Sequence, residues 1–236
     1  HINRLSRSLN EIKIKYPINR RSILFHMRNI IRKNLIVDGL IYLQITRGVA
    51  KRDFRFPKNL DSTITIIGNN VSSDEYDKAF ERGINVVTTR DLRWKRVDIK
   101  SLNLLAPVLA KQFANENNAQ EAWLIDDNGF ITEGSSSNAW VLIGKTVYTR
   151  PVSSSILNGI TRKTLIKGLK KHGYIFKEQK FNVNDIKKSK EAYITSATQY
   201  VMPVVKVNNK KIGDGKVGKF AKIFKEIYLE SVQLKS

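Results

Sequence analysis

The sequence of 236 residues contains no cysteine and only three histidines. Without cysteine the chain has no disulfide bonds, thiolate zinc ligands or catalytic thiols. The histidines, His1, His26 and His172, are too far apart along the chain to form a local metal-binding motif, so we predict no metal site. No run of roughly 18 or more apolar residues occurs either, and the sequence therefore predicts no membrane-spanning helix and no membrane partner.

Acidic residues are scarce beside basic ones: 21 Asp and Glu against 42 Lys and Arg give a net charge of +21. A charge of this sign is typical of nucleic-acid-binding proteins, but those concentrate basic residues in a stripe with aromatic side chains between them. Here the basic residues occur throughout the chain. We therefore interpret the charge as a composition bias, and we keep a non-catalytic nucleic-acid-binding module as the alternative.

The remaining composition is that of an ordinary globular chain, with 41% hydrophobic residues. The length suits one large domain or two modest ones. The chain begins at His1 rather than at methionine, and no signal-peptide pattern follows. We therefore expect a cytoplasmic protein whose true N-terminal segment lies before His1.

Hydrophobic periodicity predicts a mixture of helix and strands in the first third of the chain. Residues 17–34 have the pattern of an amphipathic helix, residues 40–48 and 62–68 that of strands, and residues 51–59 that of a basic, aromatic loop. Residues 69–83 are polar and have few apolar side chains. They are the predicted domain boundary, which gives domains of residues 1–75 and 76–236.

The rest of the chain is predicted to be strand-rich. A strand in residues 84–94 leaves at Asp91, and the next helix begins near Ala106 because Pro107 is tolerated only in a first turn. Turn chemistry and alternation predict the other elements: hairpins in 121–134, 138–150 and 203–212, a strand in 191–197, and helices in 159–173 and about 216–232. The letters GDGKVG match a dinucleotide fingerprint, but no second strand follows, so we interpret them as a hairpin exit.

Four segments carry candidate chemistry, although each also has a plain structural interpretation. Lys100 in DIKSLNLL (98–105) adjoins an apolar run, and a lysine with a partly desolvated amine can act as a nucleophile. Glu133 precedes small hydroxyl side chains in TEGSSSNAW (132–140), a composition that by itself favours a serine-rich loop. LNGITR (157–162) opens a helix, where free N–H groups and the helix dipole favour a phosphate. TSAT (195–198) offers further donors at a strand end.

The order of these four segments resembles the class IV aminotransferases, the pyridoxal-phosphate enzymes that include the D-amino-acid and branched-chain aminotransferases. Further segments are similar to the D-amino-acid branch: HINRL (1–5), YLQITRG (42–48), RFP (55–57), DLRW (91–94), LAKQ (109–112) and DGKVG (214–218). The resemblance implies a two-domain α+β and α/β fold of fold-type IV. Its small N-terminal α/β domain would be incomplete and its larger C-terminal domain strand-rich. The implied cofactor is pyridoxal 5'-phosphate.

The resemblance also implies a role for individual residues. Lys100 corresponds to the lysine that binds the cofactor and then moves a proton, and Glu133 to the carboxylate that keeps the pyridine nitrogen protonated. Arg4 would bind the phosphate together with the N–H groups of Ile160 and Thr161. The other implied cofactor contacts are Leu157 against the ring, Arg93 near Lys100 and the cofactor hydroxyl, and Ser196 and Ala197 in TSAT.

The sequence departs from the family pattern at the substrate carboxylate. In the D-amino-acid branch an arginine and a histidine from a loop of the partner subunit bind this group together with an N-terminal tyrosine. Here the loop keeps Arg52 but has Phe54 at the histidine position, so one arm of the carboxylate clamp is lost. The tyrosine would precede His1, and we therefore expect activity to depend on a longer chain.

A second departure lies in TSAT, where Ala197 replaces a threonine hydroxyl. Loss of one hydrogen bond to a charged group costs about 1.5–3 kcal/mol, which predicts weaker cofactor binding. The predicted protein is a homodimeric transaminase that acts on a D-amino acid such as D-alanine and a 2-oxo acid such as 2-oxoglutarate. Because of Phe54, a branched-chain aminotransferase or another class IV enzyme, including a lyase, stays open.

Overall fold

Two helices and a two-stranded sheet make up the N-terminal part of the chain. The structure, a computed structural model, describes residues 1–15, 19–58 and 60–233. Its backbone contacts divide the chain into two units, His1–Asp74 and Glu75–Ser236. The elements of the first unit are α1 (Ile2–Glu11), α2 (Arg20–Lys33), β1 (Gly39–Thr46) and β2 (Thr63–Asn70).

Local sequence signals explain where these elements begin and pair. The side chain of Asn19 accepts a hydrogen bond from the backbone N–H of Ser22 at 2.9 Å and so caps α2. The start of the predicted helix, at residues 17 and 18, lies outside the described residues. Strands β1 and β2 pair antiparallel over their whole length, and Ile45 of β1 is buried with Leu9 and Ile14.

The second unit is built on a nine-stranded mixed sheet. Its helices are α3, which begins at the unit boundary (Ser73–Arg82), α4 (Leu105–Glu116), α5 (Ile160–Lys171), α6 (Val183–Lys187) and α7 (Lys219–Gln233). Its strands are β3 (Ile84–Arg90), β4 (Glu121–Ile125), β5 (Ile131–Gly134), β6 (Asn138–Ile143), β7 (Thr146–Thr149), β8 (Ile175–Glu178), β9 (Glu191–Ser196), β10 (Tyr200–Val207) and β11 (Lys210–Lys211).

The order of strands in this sheet explains how distant segments meet. It is β5-β4-β3-β10-β9-β6-β7-β8, with β11 on β10, and the pairs β4–β3, β3–β10 and β7–β8 are parallel. In a flat sheet, β5 and β6 would lie five strand spacings apart, or about 24 Å. Residues 135–137 join them and reach at most about 14 Å. The sheet therefore curls, and β5 meets β6.

Large side chains fill the space between this sheet and two of its helices. Trp140 of β6 and Tyr193 of β9 are fully buried, and Tyr193 packs edge-on against Phe224 of α7, with ring centroids 5.4 Å apart. Helices α5 and α7 approach closely at Gly168, where a Cβ atom would overlap the side chain of Ile227. The core thus fixes the start of α5 relative to the sheet.

Four elements were not predicted from the sequence, namely α1, α3, α6 and β8. Residues 73–82, predicted as part of a polar boundary segment, form α3 and bury Phe80. Helix α6 has only five residues and depends on a capping box between Asn182 and Asp185. None of the helices in the described ranges combines the length and the apolar character needed to cross a bilayer.

Candidate active site

Lys100 lies in the irregular segment between β3 and α4. Strand β3 ends at Arg90, and a turn in which the N–H of Ile99 donates to the carbonyl oxygen of Arg96 at 3.2 Å precedes the lysine. Ile99 is buried and Lys100 is exposed. The predicted place between a strand and a helix is therefore correct. The expected strand end at Lys100 and the desolvated amine are not observed, because residues 91–99 separate the lysine from the sheet.

Glu133, on the buried strand β5, is held from three directions. Its Oε1 accepts a hydrogen bond from Arg93 Nη1 at 2.5 Å, and its Oε2 accepts one from Asn138 Nδ2 at 2.7 Å. The backbone N–H of Leu157 lies between the two oxygens, at 3.0 and 3.1 Å. The carboxylate is only 4% exposed, so its orientation is set by these donors.

Arg93 connects Glu133 to a second carboxylate, that of Asp91. Its Nε and Nη2 donate to the two oxygens of Asp91 at 2.9 and 2.7 Å, and Nη2 also reaches the carbonyl oxygen of Ser155 at 3.2 Å. The Thr132 hydroxyl donates to Asp91 at 2.7 Å. The i, i+2 spacing of Asp91 and Arg93 after β3 thus places a guanidinium between two carboxylates.

Burial and ion pairing act in opposite directions on these three groups. Burial raises the pKa of Asp91, but the hydrogen bonds and charge of Arg93 outweigh it and leave the pKa below its ordinary value. Burial lowers the pKa of Arg93, but Asp91 and Glu133 together hold it above its ordinary value. For Glu133 burial dominates over the charge of Arg93 and raises the pKa to about 7.

The start of α5 and the end of β9 lie side by side. Helix α5 begins at Ile160 after Gly159, which provides no side-chain cap, and the first N–H groups of a helix have no acceptor within it. The hydroxyl of Thr161 donates to the carbonyl oxygen of Ser196 at 3.0 Å. Ala197 follows Ser196 directly and is exposed. The structure thus brings together the four residues predicted at the phosphate in this unit.

Asn138 joins this helix start to Glu133. Its Nδ2 donates both to Glu133 and to the carbonyl oxygen of Leu157, the latter at 2.9 Å. A Cβ atom on Gly159 would overlap Oδ1 of Asn138. The predicted residues of the second unit other than Lys100 therefore belong to one connected arrangement that runs from Arg93 to Ser196.

The other three predicted residues lie in the first unit. Arg4 is on α1, where burial lowers its pKa. Arg52 and Phe54 are in the irregular segment after β1, with the guanidinium carbon 5.2 Å from the ring centroid and Phe54 92% exposed. Their roles at the cofactor and the substrate stay predictions.

The sequence reasoning missed Asp91, Glu121 and Asn138. Asp91 is two residues from a candidate arginine, and Asn138 opens the apolar strand β6. Glu121 is the charged residue of the otherwise apolar strand EAWLI. A lone polar residue in a buried strand needs hydrogen-bond partners, and this was the signal available in the sequence.

The family described as amino-transferase class IV matches residues 1–207 of the chain. The chain belongs to the class IV aminotransferases. Relatives that are similar to this aminotransferase include the D-alanine aminotransferases of two staphylococci. That of Staphylococcus aureus (strain N315) is 40% identical over 235 residues, 98% of this chain and 82% of the relative. That of Staphylococcus haemolyticus is 39% identical over 241 residues, 100% of this chain and 83% of the relative.

Solved structures of class IV aminotransferases share the fold. The branched-chain amino acid aminotransferase of T.th., in complex with N-(5'-phosphopyridoxyl)-L-glutamate, matches with a TM-score of 0.91 at 23% identity. The match covers 100% of this chain and 78% of that one. The predicted family, two-domain fold class, enzyme class and cofactor are therefore confirmed: the chain is a pyridoxal-phosphate-dependent aminotransferase.

The residues of this aminotransferase fit that cofactor. A carboxylate such as Glu133 is suited to a protonated ring nitrogen, because ionised Glu133 gives the group of Asp91, Arg93 and Glu133 one net negative charge. The start of α5, which has no side-chain cap, is suited to a phosphate. Glu133 and the helix start are linked through Asn138 and Leu157, so one ligand can contact both.

Proposed function

We propose that this chain transfers the amino group of a D-amino acid of the D-alanine type to a 2-oxo acid such as 2-oxoglutarate. The similarity to D-alanine aminotransferases over nearly the whole chain supports the D-amino-acid substrate. The observation that carries the chemistry is the buried carboxylate of Glu133, fixed by Arg93, Asn138 and the N–H of Leu157.

When bound, pyridoxal phosphate supplies an aldehyde that takes up the amino group and a ring that draws electrons from the substrate carbon. Glu133 holds the negative charge opposite the ring nitrogen. A nearby cation favours the ionised carboxylate, so binding lowers the pKa of Glu133 from about 7. Leu157 provides the apolar contact with the ring.

Lys100 provides the amine that binds the cofactor and later accepts and returns the proton of the substrate carbon. A single group can do both when its proton affinity suits the working pH. The exposure of Lys100, in the segment that also contains Arg93, is consistent with access to a ligand beside Glu133.

The phosphate is held by the N–H groups of Ile160 and Thr161, by Ser196 and the backbone of Ala197, and by Arg4. Helix N–H groups and the helix dipole favour an anion at this end of α5. The contact between Thr161 and Ser196 supports this assignment, since it keeps the two donor segments adjacent.

Arg52 is proposed to bind the substrate carboxylate of the neighbouring subunit. Asp53 is engaged by Arg55 at 2.8 Å, and among the described residues no acidic side chain bonds to Arg52. An exposed guanidinium of this kind suits a carboxylate ligand. Because Phe54 replaces the histidine of the family pattern, a branched-chain or other class IV activity is the second candidate.

A homodimer is part of the proposal. Helix α4 exposes a row of apolar side chains at helical spacing, with Leu105 70% exposed, and such a face is typical of a protein interface. The exposed apolar residues of α4 are Leu105, Val108, Leu109 and Phe113. A second copy of the chain is the proposed occupant, and the cytoplasm is the proposed compartment.

The test begins with cofactor binding. Titration of the purified chain with pyridoxal phosphate is expected to produce the visible absorbance of the lysine-bound cofactor, and Lys100→Ala is expected to abolish it. Absorbance that survives this substitution would overturn the role of Lys100. Initial rates with 2-oxoglutarate are then compared for D-alanine and L-leucine. Faster turnover of D-alanine is expected, and a preference for L-leucine would refute the D-amino-acid assignment.

A further inference from the structure

A second buried carboxylate lies beside the site. Glu121, the first residue of β4, is 0% exposed. Its Oε1 accepts hydrogen bonds from the N–H of Ala122 at 2.8 Å, from the N–H of Ser135 at 3.2 Å, and from the Ser135 hydroxyl. Its Oε2 accepts from the hydroxyls of Ser136 and Ser137 at 3.1 and 2.9 Å. A buried carboxylate is costly unless it is hydrogen-bonded in this way.

Four of these five donors belong to residues 135–137, which we call the serine turn. The serine turn is the whole connection between β5, which carries Glu133, and β6, which begins at Asn138. It closes tightly, with the N–H of Gly134 donating to the carbonyl oxygen of Ser137 at 2.6 Å. A Cβ atom on Gly134 would overlap the Ser137 hydroxyl and lie 3.1 Å from the Glu121 carboxyl carbon. The turn is therefore folded around the Glu121 carboxylate.

We infer that Glu121 is a positioning residue for the aminotransferase reaction: by holding the serine turn, it sets the distance between Glu133 and Asn138. This inference rests on the proposed role of Glu133 at the cofactor ring. The group that depends on Glu121 is the amide of Asn138, which donates to Glu133 at 2.7 Å. Arg93 and Asp91, the charged groups that face Glu133, reach it from the segment after β3 instead.

A displaced Asn138 would change the acid strength of Glu133 in one direction. A hydrogen bond to the ionised carboxylate favours that form, so weakening the bond raises the pKa of Glu133 further. The same change would weaken the link from Asn138 to the carbonyl oxygen of Leu157, next to the start of α5. A purely structural role for Glu121 predicts lower stability without this change in titration.

The variants separate these two roles. Glu121→Gln removes the charge at nearly constant shape, and Ser135→Ala and Ser137→Ala each remove one buried donor. Ser136→Ala is the matched control within the turn, because Ser136 is exposed. Glu191→Gln is the control for loss of a structural carboxylate, since Glu191 accepts from the N–H groups of Phe220 and Ala221 at 3.2 and 3.0 Å and caps α7.

Two titrations provide the readout. The first follows the carboxyl ¹³C shift of Glu133 with pH in the full chain without added cofactor, assigned with Glu133→Gln. The second follows the absorbance of the chain saturated with pyridoxal phosphate. For Glu121→Gln, Ser135→Ala and Ser137→Ala we expect the Glu133 midpoint to rise by about half a pH unit or more, with a shifted absorbance midpoint. Ser136→Ala and Glu191→Gln are expected to keep the wild-type midpoints.

The outcomes are distinguishable. If Glu121→Gln lowers the melting temperature as Glu191→Gln does but keeps the wild-type midpoints, Glu121 is only structural and the inference fails. If Glu121→Gln does not fold, Ser135→Ala and Ser137→Ala decide by the same criterion. If the wild-type chain shows no cofactor absorbance, the proposed function fails, while the ¹³C titration still tests whether Glu121 controls Glu133.

Discussion

At the scale of single residues, Glu133 shows how burial and hydrogen bonding divide the control of one carboxyl group. Burial raises its pKa to about 7, whereas the charge of Arg93 and the N–H of Leu157 act in the opposite direction. Near neutral pH the group can therefore take up a proton when no further cation is near, and lose it when a second cation binds. This avoids an uncompensated buried charge in the cofactor-free protein.

The raised pKa of Glu133 predicts a defined pH dependence of stability. Between the ordinary value of 4.5 and about 7, the folded chain binds this proton more tightly than the unfolded chain does. The contribution of Glu133 to the free energy of unfolding is therefore present below pH 4.5 and declines as pH rises toward 7. Urea unfolding of the cofactor-free chain at pH 5 and 7.5 measures it. Glu133→Gln should remove this decline; an unchanged pH dependence would contradict the prediction.

Phe54 is the residue on which the substrate prediction depends. Restoring a donor with Phe54→His is expected to lower the KM for the amino acid by about tenfold with little change in kcat, since a hydrogen bond to a carboxylate is worth about 1.5–3 kcal/mol. Steady-state kinetics at pH 6, where histidine is largely protonated, provide the measurement. Phe54→Leu is the control, because it removes the ring beside Arg52 without adding a donor. An unchanged KM in Phe54→His would refute the carboxylate role of this loop.

At the scale of elements, the start of α5 depends on a glycine for reasons of space rather than backbone conformation. Gly159 has φ −58° and ψ 144°, values open to any residue. What excludes a side chain there is Oδ1 of Asn138, whose amide is held by Glu133 and by the carbonyl oxygen of Leu157. The end of α5 proposed for the phosphate is thereby packed against the residue that binds the ring-facing carboxylate.

Gly159→Ala is therefore expected to impair cofactor binding and stability together. The added methyl group overlaps Asn138, and overpacking of this kind costs about 1–3 kcal/mol. The dissociation constant for pyridoxal phosphate should rise by about tenfold, measured by absorbance titration. Gly168→Ala is the matched control in the same helix, since its methyl group meets Ile227 of α7 instead. It should lower the melting temperature and leave cofactor affinity unchanged; equal losses of affinity would contradict the prediction.

At the scale of the whole molecule, the charge and the exposed apolar surface point to different partners. The net charge of +21 alone would suit nucleic acid. Helix α4, however, presents its apolar side chains to solvent, and the helix contains only two charged residues, Lys111 and Glu116. An uncharged apolar face suits a second copy of the same basic chain better than it suits a polyanion.

Substitutions on α4 test the proposed homodimer. Leu109→Glu places a charge on the exposed apolar face and is expected to convert a dimer into a monomer, measured by size-exclusion chromatography with light scattering. Ile175→Glu on β8 is the control, because Ile175 is equally exposed but lies on a different element. A Leu109→Glu protein that stays dimeric would exclude α4 from the interface. Salt-dependent retention on DNA without cofactor binding would instead favour the nucleic-acid-binding alternative.

Local signals were sufficient for many elements of the fold. Asn208 and Asn209 have φ angles of 49° and 61°, the left-handed region that asparagine tolerates, and the turn predicted from them joins β10 to β11. Gly129 likewise has a φ of 80° in the predicted turn between β4 and β5. Helix α6 and strand β8 escaped prediction because each is shorter than the window in which periodicity is visible.

By itself, the sequence determined the family, the cofactor and the candidate residues, because these depend on the order of short motifs along the chain. Only the tertiary structure showed that Glu133 is held by Arg93 and Asn138, and that Glu121 lies inside the serine turn. These contacts join β5 to residues up to 40 positions away, and they require the curl of the sheet that brings β5 beside β6. Burial, which raises the pKa of Glu133, is likewise a property of the folded sheet and not of the motif EGSSSN.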